Sequence, residues 1–170
     1  MRIAIGVSIL ALVSAAAPGI AAPLTEGARM PPLTLADQHD VDGAVSADTR
    51  SVVFSRDMQA AKVVRDALGD HPAPLLDAAR AVIIADISRM PSLITKLFAL
   101  PAMRKRPFRM LLDRDGKVTA DFPSARGKVT VFDLRAFTIE RVEYVESADE
   151  LRAALRRAAE PRERIGDGER

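Results

Sequence analysis

The side chains that could carry chemistry are few, and the commonest protein nucleophile is missing. The chain of 170 residues has no cysteine. Disulfides, thiolate metal sites and thiol-based redox or peroxidase reactions are therefore excluded for its own residues. His39 and His71 are the two histidines, and both lie in turn-like segments. The G-x-S-x-G string that accompanies one class of serine nucleophile is absent. We identify no catalytic residue and expect no cofactor.

A cluster of carboxylates near His39 suggests a metal site at first. Its members are Asp37, Asp40 and Asp42. The string DVDG at residues 40–43 resembles part of a calcium loop, but EF-hand spacing would then place Gln38 at the first ligand position and Thr49 at the twelfth. Asp and Gly in this arrangement are typical of a polar turn. We predict a hairpin turn here and no metal site.

Four consecutive residues, 55–58, follow a predicted buried strand and begin a predicted helix. They are Ser55, Arg56, Asp57 and Met58. The free N–H groups and the dipole at a helix N-terminus attract anions, which makes these residues a candidate binding site. In the alternative interpretation Ser55 or Asp57 only caps the helix and Arg56 is solvated.

A second candidate binding segment surrounds Pro107. It contains the densest basic cluster of the chain, which consists of Arg104, Lys105, Arg106 and Arg109. Such a cluster attracts an acidic partner or forms a solvated loop. We take Arg106 and Pro107 as candidate binding residues.

A predicted strand, helix, strand unit positions the first of these sites. Residues 49–54 end in three consecutive apolar side chains, which indicates a strand buried on both faces. A helix is predicted over residues 57–68, ended by Gly69 and followed by a loop with prolines at 72 and 74. Its apolar stripe consists of Met58, Ala61, Val64 and Leu68. The apolar run at 81–85 predicts a second strand, parallel to the first.

In the rest of the sequence we predict a helix, then three strands, then a final helix. The first runs from Pro91 until Pro101 ends it, and its apolar face consists of Leu93, Ile94, Leu97 and Phe98. Strands are predicted at 108–112, 128–134 and 137–145, the last two forming a hairpin with one polar face on each strand. A capping box opens the final helix: it pairs Ser147 with Glu150. The inward residues of that helix are Leu151, Ala154, Leu155 and Ala158.

Residues 1–21 have the layout of a secretory signal peptide. They carry one charge, Arg2, followed by an apolar run that ends in small residues. Small residues at the −3 and −1 positions favour cleavage before Ala22. Pro18 interrupts the run before it reaches the roughly 20 apolar residues of a membrane span, although an uncleaved anchor is the alternative. We expect a periplasmic or secreted protein without a stable membrane span after cleavage.

Three further regions follow the leader. Residues 22–32 form a proline-containing lead-in segment, residues 33–159 form one domain that begins with a short strand at 33–35, and residues 160–170 form a flexible tail. The formal net charge is +2. A balance this close to neutrality gives no electrostatic reason to expect a nucleic-acid partner.

The order of these elements and two local strings resemble the thioredoxin-like superfamily. Residues 32–38, PLTLADQ, look like the opening hairpin of peroxiredoxins and secreted thioredoxin-like proteins. Residues 105–117, KRPFRMLLDRDGK, look like the segment that carries a cis-proline and a D-x-x-G-K turn in that family. The resemblance covers roughly residues 28–158. It implies a three-layer α/β fold with a central mixed β-sheet flanked by helices and an N-terminal β-hairpin.

The resemblance also implies where a site would lie. In the family the redox site follows the first central strand, which corresponds here to residues 55–60. If Pro107 is cis, it would face that helix start beside backbone that can pair with an extended peptide. The alternative is a trans proline that opens a strand. Neither CxxC nor a peroxidatic cysteine motif is present, so no redox role is carried over.

Two functional hypotheses follow. The favoured one is a secreted, thiol-free thioredoxin-like protein that binds a periplasmic protein or peptide between the helix start and the Pro107 segment. The alternative is an enzyme that uses non-thiol groups such as Asp57, Arg56 or His39, or a flavin-binding oxidoreductase. No G-x-G-x-x-G follows a predicted strand, so the sequence does not favour a dinucleotide site.

Overall fold

The structure, a computed structural model, describes residues 23–161. The predicted signal peptide and residues 162–170 of the predicted tail lie outside the described residues. In chain order the elements are β1 (Thr34–Ala36), β2 (Asp42–Ala44), β3 (Ser51–Ser55), α1 (Met58–Leu68), α2 (Ala73–Ala78), β4 (Ala81–Asp86), α3 (Ser92–Ile94), a π-helical turn (Thr95–Ala99), α4 (Leu100–Arg104), β5 (Leu111–Asp113), β6 (Val129–Arg135), β7 (Thr138–Val145) and α5 (Ala148–Ala159).

Five strands form a mixed sheet in the order β5-β4-β3-β6-β7. Strand β4 runs parallel to β3 and to β5, whereas β6 is antiparallel to both β3 and β7. The predicted parallel pair around α1 and the predicted β6–β7 hairpin are therefore confirmed. Strands β1 and β2 form a separate antiparallel hairpin that precedes the sheet in the chain.

Alternation along the strands divides the core between the two faces of the sheet. Val53 of β3 belongs to the cluster that includes the buried faces of α1 and α5. Its neighbours Val52 and Phe54 belong to a second cluster, which includes Met30 and the β1 residue Leu35. Strand β6 is buried on both faces, because it lies between β3 and β7 with a core cluster on each side. The prediction of a polar face on β6 is therefore wrong.

The last helix forms as its sequence predicts. Ser147 Oγ accepts a hydrogen bond from the Glu150 N–H at 3.2 Å, and the Glu150 carboxylate accepts from the Glu146 N–H at 2.9 Å. In a standard capping box Glu150 would accept from the N–H of the cap residue Ser147, whereas here it accepts from Glu146, the residue before the cap. The four predicted inward residues are all buried against the sheet.

Two proline-containing segments differ from their predictions. Helix α2 occupies the region predicted as a loop, because Pro72 precedes the helix and Pro74 lies in its first turn, where no N–H is needed. The helix that begins after Pro91 continues through Pro101 to Arg104. It does so because the chain widens into a π-helical turn just before Pro101, and Leu100 N–H donates to the Thr95 carbonyl.

We call the continuous stretch of α3, the π-helical turn and α4 the groove helix. It contains no buried residue. The predicted inward face is exposed, with exposed fractions of 67% for Leu93, 50% for Ile94, 58% for Leu97 and 68% for Phe98. Met58, predicted to lie in the stripe of α1, is 73% exposed. Within residues 23–161 no helix is long and apolar enough to cross a membrane.

Candidate functional site

Asp57 caps α1 and ties it to a neighbouring loop. Its Oδ1 accepts hydrogen bonds from the Gln59 and Ala60 N–H groups, both at 2.9 Å, and its Oδ2 accepts from the Gly127 N–H at 2.7 Å. Burial raises the pKa of Asp57, but these backbone donors outweigh it and hold the pKa below the ordinary value. The carboxylate thus occupies the donors that would bind an external anion.

Arg56 is part of a structural network at the ends of the central strands. Its Nε donates to Asp86 Oδ2 at 3.0 Å, while its terminal nitrogens donate to Ser124 Oγ and to the Thr119 carbonyl. The guanidinium also lies over the Phe54 ring, 5.1 Å from its centroid. Arg56 therefore attaches the 119–124 loop to the sheet, and it does not line the groove described next.

An apolar groove of about 300 Å³ lies between the start of α1, the ends of β3 and β4, the groove helix and residues 106–110. Its apolar lining includes Met58, Val64, Met90, Ile94, Phe98 and Met103. Ser55 and Asp57 lie at the α1 side and Arg106 lies on the opposite side. Unbranched methionine side chains adapt their shape to different apolar surfaces, so this lining suits a binding site.

The predicted basic cluster divides into two parts. Arg104 and Arg109 hold the β1–β2 turn: Arg104 donates to Asp40 Oδ2 at 3.0 Å and Arg109 donates to Asp37 Oδ2 at 2.8 Å. Arg106 lines the groove, and its side chain makes no hydrogen bond or salt bridge with any described residue. Cations that are fixed by carboxylates stabilise the fold, so Arg106 is the member of the cluster best placed to meet a ligand.

Pro107 is trans, and not cis as in the family segment that residues 105–117 resemble. No peptide bond among residues 23–161 is cis. Pro107 is exposed and lies outside the groove lining, whereas its neighbours Arg106 and Phe108 lie within it. The expectation that Pro107 faces the helix start is therefore wrong.

Gln38 occupies the backbone next to Pro107. This buried side chain donates from Nε2 to the Phe108 carbonyl at 2.7 Å and accepts at Oε1 from the Met110 N–H at 2.9 Å. The amide group thus bonds to this backbone as a neighbouring strand would. It also explains why β5 begins at Leu111, three residues after the predicted start. An extended peptide finds these two groups already paired.

The acidic turn around His39 serves the hairpin. Asp37 Oδ1 accepts from the N–H groups of His39 and Val41 at 2.7 and 3.0 Å, and Arg114 joins Arg104 at the Asp40 carboxylate. Among residues 23–161 no three potential ligand side chains are placed to hold a metal ion. The His39 side chain is exposed and does not line the groove.

The feature that the sequence interpretation missed is the exposure of the groove helix. Residues 93–103 read LITKLFALPAM and present apolar side chains in nearly every direction. A short helix of this kind needs cover on more than one side. The composition of residues 93–103 therefore indicates an exposed apolar surface, whereas the spacing of Leu93, Ile94, Leu97 and Phe98 alone predicts a helix with one buried face.

Comparison with known proteins identifies the fold. No protein-family model and no curated protein matches the sequence. Peroxidoxin BcpB from Mycobacterium tuberculosis shares 20% identity at a TM-score of 0.53, covering 79% of this chain and 97% of its own. A Chlorobium tepidum protein assigned as the thiol:disulfide interchange protein DsbE shares 14% identity at a TM-score of 0.57, covering 81% and 99%.

A third solved structure agrees with these two. The thioredoxin domain of a thiol-disulfide oxidoreductase from Bacteroides vulgatus shares 14% identity at a TM-score of 0.52, covering 81% of this chain and 99% of that chain. The chain therefore has a thioredoxin-like fold, as the sequence resemblance implied. Identities this low establish the fold and no activity.

Proposed function

We propose that this thioredoxin-like, cysteine-free chain is a secreted, periplasmic protein that binds a protein or peptide partner through the apolar groove. It has no thiol redox activity of its own, because no thiolate is available to attack a disulfide or peroxide. The proposed binding residues are Ser55, Asp57, Met58 and Arg106, which line the groove, together with the exposed groove helix.

The observation that carries the proposal is the exposure of large apolar side chains around a concave surface. Met58, Ile94 and Phe98 line the groove and are each at least half exposed, and Leu93 and Leu97 extend the exposed apolar surface along the groove helix. Contiguous exposed apolar surface of this kind marks interaction sites in soluble proteins. Its position beside the start of α1 is the position at which the family places its chemistry, so the fold retains the location of the site without its sulfur.

The enzyme alternative gains no support from the geometry. Asp57 is an ionised cap with three backbone donors, and Arg56 is held by Asp86 and the 119–124 loop. A general acid or base near neutral pH needs a carboxyl group with a raised pKa, whereas the pKa of Asp57 is lowered. These contacts favour binding over catalysis.

The proposal is tested by capture from a periplasmic extract with matched variants. Phe98→Glu places a charge in the groove, and Tyr144→Glu makes the same change on β7, at the other edge of the sheet from β5. Both side chains are substantially exposed, at 68% and 43%, so neither change removes a core residue. We expect Phe98→Glu to lose a defined partner that wild type and Tyr144→Glu retain. Equal recovery by all three would reject the groove as the binding surface.

The location is tested separately by fractionating the host and sequencing the N-terminus of the purified protein. The proposal expects a periplasmic protein whose first residue is Ala22. A cytoplasmic protein with an intact leader would contradict the proposed location and would leave the groove result unaffected.

A further inference from the structure

The charge distribution along the chain is uneven around the groove. Between Asp86 and Asp113 there is no acidic residue, and the same interval holds six basic residues: Arg89, Lys96, Arg104, Lys105, Arg106 and Arg109. Because the whole chain is close to neutral, this interval is positive while the remainder carries more acids than bases. The interval includes the entire groove helix and the segment that closes the groove.

Most of these cations form no salt bridge within the described residues, although Arg106 lies near enough to Asp66 to help lower the pKa of that carboxyl group. Arg104 and Arg109 are paired with the β1–β2 turn. The side chains of Arg89, Lys96, Lys105 and Arg106 make no hydrogen bond or salt bridge within residues 23–161. From α1, Arg65 also lines the groove, 3.7 Å from an Asp66 oxygen. Asp66 is bonded to Lys62 as well.

Two carboxylates, Asp57 and Asp86, also line the groove, but Asp57 accepts three backbone N–H groups and Asp86 is paired with Arg56, which lies outside the lining. Arg106 is therefore the lining cation that has no salt-bridge or hydrogen-bond partner among the described residues.

The binding mode is restricted by the backbone. An extended ligand that adds a strand beside residues 108–110 needs the Phe108 carbonyl and the Met110 N–H, and Gln38 already pairs both. Side-chain packing is therefore the available mode. Leu93 with Leu97, and Ile94 with Phe98, form two adjacent i, i+4 rows of exposed apolar side chains on the groove helix. The second row lines the groove. Rows of this kind pack against the side chains of a second helix.

We propose that the partner segment is an amphipathic α-helix with an apolar face and an acidic flank, and that its carboxylates meet Arg106 and Arg65. This inference rests on the proposed function and specifies the chemistry of the partner. Apolar contacts would supply most of the affinity, and the charge pairs would select the partner and its orientation. A second copy of this chain fits less well, because a symmetric pair would bring two sets of unpaired cations together.

The test is selection of binding peptides from a display library of helical peptides. The target is the full-length gene product, purified from its host after any removal of the signal peptide. The library randomises apolar and charged residues at every position, and recovered peptides are measured against wild type, Phe98→Glu, Arg106→Glu and Arg156→Glu. Arg156 is an exposed residue of α5 without a side-chain hydrogen bond or salt bridge in the described part of the chain, so it is the matched charge control. Vesicles of phosphatidylglycerol form a separate arm.

We expect recovered peptides to combine Leu, Ile, Met or Phe at i, i+3 and i+4 spacing with Asp or Glu on one flank. Arg106→Glu should weaken their binding about tenfold and Arg156→Glu should leave it unchanged, because only the first removes a charge pair at the interface. Peptides in which lysine replaces the acidic flank should bind Arg106→Glu more tightly than wild type.

Other outcomes overturn the inference in distinguishable ways. Apolar peptides without acidic enrichment, insensitive to Arg106→Glu but lost with Phe98→Glu, would reject the acidic partner and leave groove binding intact. Groove-dependent binding of phosphatidylglycerol vesicles with no peptide recovered would replace the protein partner by an anionic lipid surface. Peptides that bind Phe98→Glu as well as wild type, or no ligand in either arm, would reject the proposed function itself.

Discussion

Asp57 shows at the level of one residue how a carboxylate at a helix N-terminus can join two parts of the fold. A carboxylate at the N-terminus of α1 accepts two N–H groups of the first turn, and its second oxygen holds Gly127. Gly127 has a φ of +76°, which glycine adopts without strain and which brings its N–H to Asp57. The side chain thus joins a helix to a loop and leaves no free anion site at the helix start.

The pH dependence of stability follows from two such aspartates. The pKa of Asp57 and the pKa of Asp37 are both below the ordinary value of 3.8, because backbone donors, and Arg109 in the case of Asp37, outweigh the opposing effect of burial. A carboxyl group whose pKa is lowered on folding stabilises the native state above its unfolded pKa, and this contribution is lost as the pH falls through the folded pKa.

We therefore expect the free energy of unfolding to be insensitive to these groups near pH 7 and to fall below about pH 4. Asp57→Asn keeps a side chain that can cap the helix but cannot ionise. Urea unfolding at pH 6 and pH 3 should show a smaller acid-induced loss for Asp57→Asn than for wild type. An equal loss for the two proteins would contradict the role of this carboxylate.

Gln38 provides a second test at the residue scale. Gln38→Leu introduces an apolar side chain of similar size and leaves the Phe108 carbonyl and the Met110 N–H without their partner. Each unsatisfied buried group costs about 1–3 kcal/mol, so we expect a clear decrease in the urea midpoint. Gln38→Glu would bury a carboxylate against the Phe108 carbonyl oxygen, so at neutral pH we expect it to be destabilised at least as much as Gln38→Leu. A midpoint for Gln38→Leu equal to that of wild type would show that these bonds do not stabilise the fold.

At the scale of the element, the groove helix differs from α1 and α5, the two helices whose buried side chains contribute to the core. It has no buried residue, whereas α1 and α5 each bury several apolar side chains against the sheet. Helices obtain most of their stability from such packing. The groove helix is therefore expected to be the least stable long helical segment of the described chain.

Hydrogen exchange measures this difference directly. Amides of residues 95–104 should exchange well before those of α5, since opening of the groove helix exposes only the partly buried Leu100 and Met103, whereas opening of α5 exposes four buried side chains. Binding of a partner in the groove should slow exchange in the same residues and leave α5 unchanged. Protection of residues 95–104 equal to that of α5 in the free protein would contradict this account of the groove helix.

Several elements could be predicted from the sequence because local signals and packing agree. The apolar runs of β3 and β4 predict buried parallel strands, and the capping box with its four inward residues predicts α5. The predicted helix start at Asp57 is also confirmed, since the side chain caps the helix and α1 begins at Met58.

The candidate site was less predictable because its determinants are tertiary. Proline in a sequence indicates a break, but a π-helical turn accommodates Pro101 and a first helical turn accommodates Pro74. An apolar stripe indicates burial only when another element covers it, and no described element covers Leu93 or Leu97. The pairing of Gln38 with residues 108–110 spans 70 residues of chain, so no local pattern indicates it.

At the scale of the whole molecule, the chain keeps a thioredoxin-like scaffold and has no cysteine anywhere in its sequence. The buried faces of α1 and α5 and the N-terminal hairpin cover the sheet, and charged networks around Arg56 and Asp37 fasten the loops near the ends of the strands. Three large exposed apolar side chains, Met58, Ile94 and Phe98, line one groove. These features support the proposal that the fold carries a binding surface.

That proposal is tested most directly by site-specific photo-crosslinking in the host. A benzophenone amino acid replaces Phe98 in the groove in one variant and Tyr144 on β7 in the other, so that both variants exchange one exposed aromatic residue for another. Irradiation should give a discrete protein adduct from position 98, absent from position 144 and reduced when Arg106→Glu is combined with it. Identical adducts from both positions, or none from position 98, would contradict the assignment of the groove as the site where this protein binds its partner.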